Sequence, residues 1–392
     1  MRVAIGIDVA KEVHWVSAVD DQGEIRIDRK LDNTPAASAA LIAELKTLEG
    51  EITIGLDVVG GIAGLAEAML AAAGLRLVHV PGLAVNRARQ GTRGGESKSD
   101  PRDARVIADQ VRMRRDLRVI EAESELDLDM RLLVGRRRDL VDEQTRRIGR
   151  LRDLLVSIFP SLERAFDYTT KGPLWLVSKY VTPAELRQAG RARIIRHLQH
   201  AGSLRNIEAL ADRALDAARG QTISVPGERM SATLIRELAV EALSIRKRIA
   251  ELDKELETLV ARHPDSALIR SLPGMGAVLT AELIAEAGNL QRFRSADALA
   301  AAAGLAPVLR QSGKVRFLKR PTGGNKTLKR VFYQSAFCSL HTADSRTFYD
   351  RKRREGKRHH QALIALARRR INVLWAMLQN RQPFQADFKK AA

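Results

Sequence analysis

Two apolar runs near the start of the chain each stop at an aspartate: Ile5-Gly6-Ile7-Asp8 and Ile54-Gly55-Leu56-Asp57. A third acidic pair, Asp100 and Asp103, lies in Lys98-Ser99-Asp100-Pro101-Arg102-Asp103. A charge that ends an apolar strand is costly to bury alone, so Asp8 in particular calls for a partner. Asp100 and Asp103, three residues apart, share one face of a helix. If the strands ending at Asp8 and Asp57 are neighbours in one sheet, both carboxylates emerge at the same edge. Four carboxylates brought together repel one another. Mg²⁺ relieves that repulsion, because it takes hard oxygen ligands. Two such ions can activate an attacking oxygen and stabilise a leaving one in phosphodiester transfer. A structural reading stands beside this one. Asp57 then merely closes a strand, Asp100 caps a helix ahead of Pro101, and Asp103 is the reciprocal acid of a capping box. Capping and metal binding are compatible.

A second constellation lies toward the C-terminus. In Leu272-Pro273-Gly274-Met275-Gly276, followed by a small-residue helix, Gly274 and Gly276 suit the hairpin of a helix-hairpin-helix element. There the backbone approaches a phosphate and helix-start N–H groups bind it; a plain turn between helices is the alternative. From Arg310 to Arg330 there is no acid, and Arg310, Lys314, Arg316, Lys319, Arg320, Lys326, Lys329 and Arg330 form a phosphate-binding footprint. Ser312 sits inside it. A hydroxyl among guanidinium and ammonium groups could act as a nucleophile toward phosphorus, the cations stabilising the developing charge. It could equally begin a turn with Gly313. A last basic stretch, 351–358, precedes a C-terminal helix.

The elements that must carry these groups follow from patterning. Segments 2–9, 14–20, 24–32, 52–58 and 75–80 read as strands. Thr34-Pro35 opens a helix, a small-residue helix covers 60–73, and another begins near Ser99. Hairpins first and alternation afterwards predict a mixed α/β sheet with helices on its faces, the order of a ribonuclease-H-like fold. Residues 84–98, rich in Gly and Arg, read as a flexible basic loop. Helical periodicity returns over 126–159. In 230–260, Leu238, Ile245, Leu252 and Leu259 recur as a heptad seam, able to pair with the earlier helix or with a second chain. Segment 161–228 reads as helical and loop-like.

Lys and Arg total 66 against 47 Asp and Glu, a net charge of +19, which points to a polyanionic partner such as nucleic acid. Aromatic residues are 4%, which argues against base stacking on aromatic platforms as the main binding mode. No uninterrupted apolar run approaches the roughly 18 residues of a membrane span. Cys338 is the single cysteine, so neither an intrachain disulfide nor a cysteine zinc site can form. The chain reads as intracellular.

The ordered set IGIDVAK, IGLDVVGG, KSDPRDAR, SLPGMGAVLTAELIAEAGNLQRF, AGLAPVLRQSGK and GGNKTLKR resembles the DEDD-type insertion-sequence transposases over nearly the whole chain. The resemblance implies a RuvC-like domain at 1–120, a coiled-coil dimerisation region at 121–262 and a mainly α serine-transposase and DNA-binding domain at 263–392. It implies that Asp8, Asp57, Asp100 and Asp103 hold Mg²⁺, and that Ser312 attacks DNA to form a transient phosphoserine. The active site would be composite between subunits of a homodimer or homotetramer. The partners would be double-stranded donor and target DNA and a structured guide RNA from the same element. The resemblance also implies the bacterial cytoplasm as setting, with nucleoid association. One departure is visible: the family's second acid is usually Glu, and here it is Asp57, one methylene shorter. The competing functions are a nuclease or junction resolvase that uses only the acids and water, and an inactive DNA-binding relic.

Overall fold

The computed structural model describes residues 2–92, 96–121, 124–290 and 293–386. These fall into two compact units, Met1–Glu123 and Ser124–Ala392.

The first unit is a mixed sheet with helices on both faces. Strands β1 (Arg2–Asp8), β2 (Val13–Val19) and β3 (Ile25–Asp32) form an antiparallel meander. Helix α1 (Pro35–Leu45) follows, with the Thr34 hydroxyl accepting the Ala37 N–H at 3.2 Å. Then come β4 (Glu51–Leu56), α2 (Gly64–Ala72), β5 (Arg76–His79), α3 (Gly82–Gln90), α4 (Asp100–Met113) and a short β6 (Arg118–Val119). The sheet order is β3-β2-β1-β4-β5-β6, with β4 and β5 parallel to β1. Strand alternation sorts the side chains by face. Val3, Ile5, Ile7, Ile54 and Leu56 pack with Leu41 of α1 and Leu70 of α2. Ala4, Val78 and Val80 pack with Ile107, Ala108 and Val111 of α4. Burying each such aliphatic side chain contributes about 1.5–3 kcal/mol.

The reading of 84–98 as a loop needs correction. Residues 84–90 belong to α3, where Val85 is buried and Arg87 and Arg89 lie in the last turn, favourable to the helix dipole. Composition suggested a loop because only one apolar anchor is needed on so short a helix. Arg93, Gly94 and Gly95 of that segment lie outside the described residues.

In the second unit, α5 (Glu125–Ile158) lies against α10 (Glu228–Arg262), so the heptad seam of α10 is met by α5 within the chain. Leu140 packs with Ile245 and Leu252. Arg137 Nε donates to Asp253 Oδ1 at 2.5 Å, and Arg147 Nε to Glu241 Oε2 at 2.6 Å. Between them α6 (Pro160–Ala165), α7 (Lys171–Val177), α8 (Pro183–Gln199) and α9 (Ile207–Arg219) close a second core around the buried Tyr168 and Phe159. This segment, read as partly loop, is an ordered helical cap. Small Ala211, Ala214 and Ala218 do its packing, so its apolar stripe is faint in sequence.

The C-terminal part holds α11 (Ser266–Ser271), α12 (Ala277–Ala287), α13 (Ala296–Ala302), strands β7 (Val308–Ser312) and β8 (Val315–Lys319), then α14 (Lys326–Cys338), α15 (Ala343–Arg354) and α16 (His359–Asn380). Its core is continuous with the ends of α5 and α10 through Met130, Val134, Leu256 and Val260, so no break in packing falls at residue 262. The basic stretch after Pro307, to which the sequence reading assigned no element beyond a possible Ser312-Gly313 turn, is a two-stranded hairpin. Gly313 supplies the positive φ, +55°, that its two-residue turn needs. The expected basic stretch 351–358 is the end of α15 and the connection to α16.

Candidate active site and its relatives

The register of the parallel pair β1–β4 sets Ile7 opposite Leu56. Asp8 and Asp57 therefore leave the sheet side by side, the condition on which the sequence argument depended. The Val9 N–H, next to Asp8, donates to Asp57 Oδ1 at 3.2 Å and ties the two strand ends together. Past Asp57 the chain reverses through Gly60 and Gly61, with φ of +69° and +55°, a conformation that favours glycine. The Gly60 N–H is held by Glu67 Oε2 at 2.9 Å.

Helix α4 brings the other two acids. Ser99, not Asp100, occupies its cap position and makes no side-chain cap, so Asp100 and Asp103 both lie in the first turn, beside the positive end of the helix dipole. The helix seats on the sheet by a close approach at Gly6. A Cβ there would stand 2.0 Å from the Ala104 carbonyl oxygen and 2.4 Å from the Ala108 nitrogen. Gly55 makes the matching space on β4, facing Val111 and Ile107. The two glycines of IGID and IGLD thus let the helix bearing Asp100 and Asp103 lie directly on the strands that end at Asp8 and Asp57.

Burial pushes the Asp8 carboxyl up to about 7, and the neighbouring Asp57, Asp103 and Asp100 add to the rise. Asp57 is raised as well, chiefly by burial and against the pull of the backbone N–H donors around it. The four carboxylates share one field, which a cation would relieve. Asp103, buried, is already engaged by Arg89 Nη1 of α3 at 3.2 Å. Among the described residues, no three His, Cys, Asp or Glu side chains converge closely enough to hold one ion. The hard-oxygen set fits a divalent metal in chemistry and charge. Arg89 Nη1 contacts both oxygens of Asp103, at 3.2 and 3.3 Å, and takes part of that carboxylate's acceptor capacity.

Several supporting residues escaped the sequence reading. His14 is buried, and its Nδ1 accepts the Ala10 N–H at 3.1 Å, fixing the turn that follows Asp8. Asn33 Nδ2 donates to the Lys11 and Ile62 carbonyls, joining the loops after Asp8 and Asp57. His79, at the end of β5, hydrogen-bonds the Asp57 backbone, and burial holds both histidines below their usual pKa. Arg89 was hidden by the loop reading. A lone histidine in an apolar strand was the one visible signal for His14.

The serine constellation belongs to the second unit. Ser312 is the last residue of β7, paired with Val315, immediately before the Gly313-Lys314 turn. It shares a hairpin face with Arg310 and Phe317, and the whole hairpin is solvent-exposed, Arg310, Lys314, Arg316 and Lys319 included. Arg320 and Lys326 are exposed as well and Lys329 partly so, but Arg330 is occupied by the buried Glu282 at 2.7 Å. The hairpin's base is clamped where Gly304 and Gly324 meet, a Cβ on Gly324 falling 2.5 Å from Gly304 Cα. Asn325 caps α14 by accepting the Leu328 N–H at 2.9 Å and donates to Glu286 at 2.8 Å.

The Pro-Gly-Met-Gly turn does connect two helices, α11 and α12. Gly274, at φ +79°, has an internal reason to be glycine: a Cβ would stand 2.6 Å from the Ser335 carbonyl oxygen. Gly276 is exposed, with open space around it.

A family model describing a DEDD transposase of the IS110 type matches residues 5–160, and one described as the IS116/IS110/IS902 transposase family matches 266–350. An uncharacterised 42 kDa protein of insertion element IS900 from Mycobacterium paratuberculosis is 42% identical, over 99% of this chain and 98% of its own. The uncharacterised 44.8 kDa protein of IS116 from Streptomyces clavuligerus is also 42% identical, over 98% and 96%. A pilin gene-inverting protein of Moraxella bovis is 28% identical over 35% of this chain and 45% of its own. Among solved structures, RuvC of T. thermophilus with a Holliday junction substrate aligns to 31% of this chain and 100% of its own, at 14% identity and a TM-score of 0.25. With relatives this similar along almost its whole length, the chain belongs to the IS116/IS110/IS902 family of insertion-element transposases.

Proposed function

We propose that this transposase cuts and rejoins DNA by phosphodiester transfer through a ribonuclease-H-like acidic site and a serine nucleophile. The observation that carries the reading is the convergence of Asp8 and Asp57 at one sheet edge with α4 seated against it. The strand order, with β2 antiparallel among β3, β1, β4 and β5, supports the ribonuclease-H-like assignment. Asp8, Asp57, Asp100 and Asp103 would hold Mg²⁺, which when bound supplies charge neutralisation for the attacking and leaving oxygens.

The protein's own groups do the rest. Arg89 holds the Asp103 carboxylate in place through its guanidinium. Ser312 Oγ forms a bond to phosphorus as its proton departs, and the bond to the leaving sugar oxygen breaks, that oxygen taking up a proton. A hydroxyl from the joining strand then reverses the step and frees Ser312. Arg310 and Lys314 flank the hydroxyl and favour the charge that builds on the phosphoryl oxygens. The exposed basic hairpin and the net charge of +19 support DNA as partner. A guide RNA and a subunit-shared site follow from the family resemblance, and the same basic surface would serve an RNA.

Excision of the native element from a plasmid tests this reading. Circle junctions should form with the intact chain and vanish with Ser312→Ala and with Asp8→Ala, while DNA binding persists. Junctions formed normally by Ser312→Ala would leave a metal nuclease that uses water.

A further inference from the structure

A cavity of about 660 Å³ opens between the start of α15 and the side of α16, in the second unit and apart from the serine hairpin. Two independent features of its wall select for an anion. The first is Arg370, whose side chain is only 4% exposed. Its Nε donates to Ser335 Oγ at 3.0 Å and its Nη2 to the Pro273 carbonyl oxygen, both neutral acceptors. No carboxylate pairs with it among the described residues, although a buried guanidinium has five donors to satisfy and a charge to balance. The second is the N-terminus of α15, a helix of 12 residues whose cap residue Thr342 makes no side-chain cap. Thr342, Ala343 and the buried Ser345 line the same cavity. Open N–H groups at a helix start, with the dipole behind them, are a ready anion site.

The remaining wall is apolar, from Phe348, Val373, Met377 and Phe384. Arg351, Lys352 and Arg369 lie over the Phe348 ring at 5.1, 5.7 and 5.1 Å from its centre; Glu355 pairs with Arg351 at 3.8 Å and with Lys352 at 2.7 Å, so Arg369, on the cavity wall, is the cation that adds charge at that side. Asp344 is the acid on the wall; it is exposed in the first turn of α15. A volume of this size exceeds a bare phosphate and lies within the roughly 300–1,000 Å³ of small-molecule pockets.

We propose that the cavity binds a single nucleotide, with its phosphate between Arg370 and the α15 N-terminus and its base against the apolar wall. This site is separate from the phosphodiester chemistry above and does not rest on it. The phosphate could belong to a free mononucleotide or to the end of a strand.

The test uses the full chain, with adenosine 5′-monophosphate, adenosine and inorganic phosphate as probes in calorimetric titration. The monophosphate should bind, and adenosine and phosphate each roughly tenfold or more weakly, since each lacks one half of the site. Arg370→Lys should weaken the monophosphate, but this buried position can also affect folding. Ala343→Asp is the cleaner variant. Ala343 is exposed, and an acid in the first helical turn favours the helix, so thermal stability should hold while monophosphate affinity falls roughly tenfold or more. A 5′-phosphorylated trinucleotide that displaces the monophosphate assigns the site to a strand end; failure to displace it assigns the site to the free nucleotide. Equal binding of adenosine and monophosphate, or undiminished binding by Ala343→Asp, would overturn the proposal.

Discussion

Gly6→Ala is the change that most sharply tests how the acidic site is assembled. A methyl group on Gly6 would lie 2.0 Å from the Ala104 carbonyl oxygen, 2.4 Å from the Ala108 nitrogen and 2.9 Å from Ile107 Cβ. Two of these are backbone atoms of α4, which cannot rotate away. Ordinary contact begins near 3.4 Å, so the helix must retreat by about 1.4 Å. Overpacking of this kind costs about 1–3 kcal/mol and sometimes more. The upper end applies here, because the displaced atoms are main chain. A displacement of about 1 Å can reduce catalysis roughly 10²-fold even in molecules that stay folded. Gly55→Ala is the internal control. Its clashes, at 2.5, 2.9 and 3.0 Å, are with methyl groups of Val111, Ile107 and Val80, and side-chain rotation can relieve part of the strain. Gly64→Ala is the neutral reference, with nothing within 4 Å. Urea unfolding and element excision should both rank Gly6→Ala as the most damaging, then Gly55→Ala, then Gly64→Ala. A Gly6→Ala protein with unchanged stability and activity would refute direct seating of α4 on β1.

Arg89→Ala leaves the buried Asp103 carboxylate without its cation and should cost about 3 kcal/mol in metal-free protein; thermal unfolding with added Mg²⁺ should recover part of that loss, and no recovery would argue against Asp103 as a ligand. The Asp8 carboxyl, raised to about 7, binds a proton in the native state between about pH 4 and 7 that the unfolded chain has released. Native stability due to Asp8 therefore falls as pH rises through that window, by about 1–2 kcal/mol once screening at this half-exposed group is allowed for. Metal-free Asp8→Asn should gain on the parent as pH rises, and a difference that stays flat in urea titrations would contradict the shared field. Leu252→Ala, at a fully buried seam position, should cost about 2–5 kcal/mol. Because that seam is closed within one chain, the loss caused by Leu252→Ala should be the same at every protein concentration; a loss that grows on dilution would indicate an intermolecular coil.

The strands and the helix of the first unit were legible because their signals are local and repeated: β-branched runs, Thr34-Pro35 and the Ser99-Asp100-Pro101 start. Asp8 and Asp57 could be paired in advance only on the condition that β1 and β4 are neighbours, and the parallel register meets that condition. The seating glycines were invisible, since a close approach involves two segments distant in sequence. Arg89 was missed because a short helix with one buried valine looks like a loop. Ser312 was correctly placed beside a Gly313 turn, yet the hairpin that carries it was masked by charge: Val308, Leu309, Val315, Phe317 and Leu318 are apolar but stay exposed, so no core contact marks them as strand. Gly274 was read toward a phosphate, whereas its contact with the Ser335 backbone gives it a packing role that only the folded chain reveals.

The most direct test of the central claim is to trap the reaction partway. The protein is mixed with element-end DNA and Mg²⁺, with any RNA the element encodes, then denatured and run on a gel that resolves protein joined to DNA. A covalent adduct should form, its digested peptide should carry the nucleotide on Ser312, and Ser312→Ala should give neither adduct nor joined strands. DNA cleaved with no adduct, and equally by Ser312→Ala, would contradict the account and leave water as the nucleophile at the acidic site.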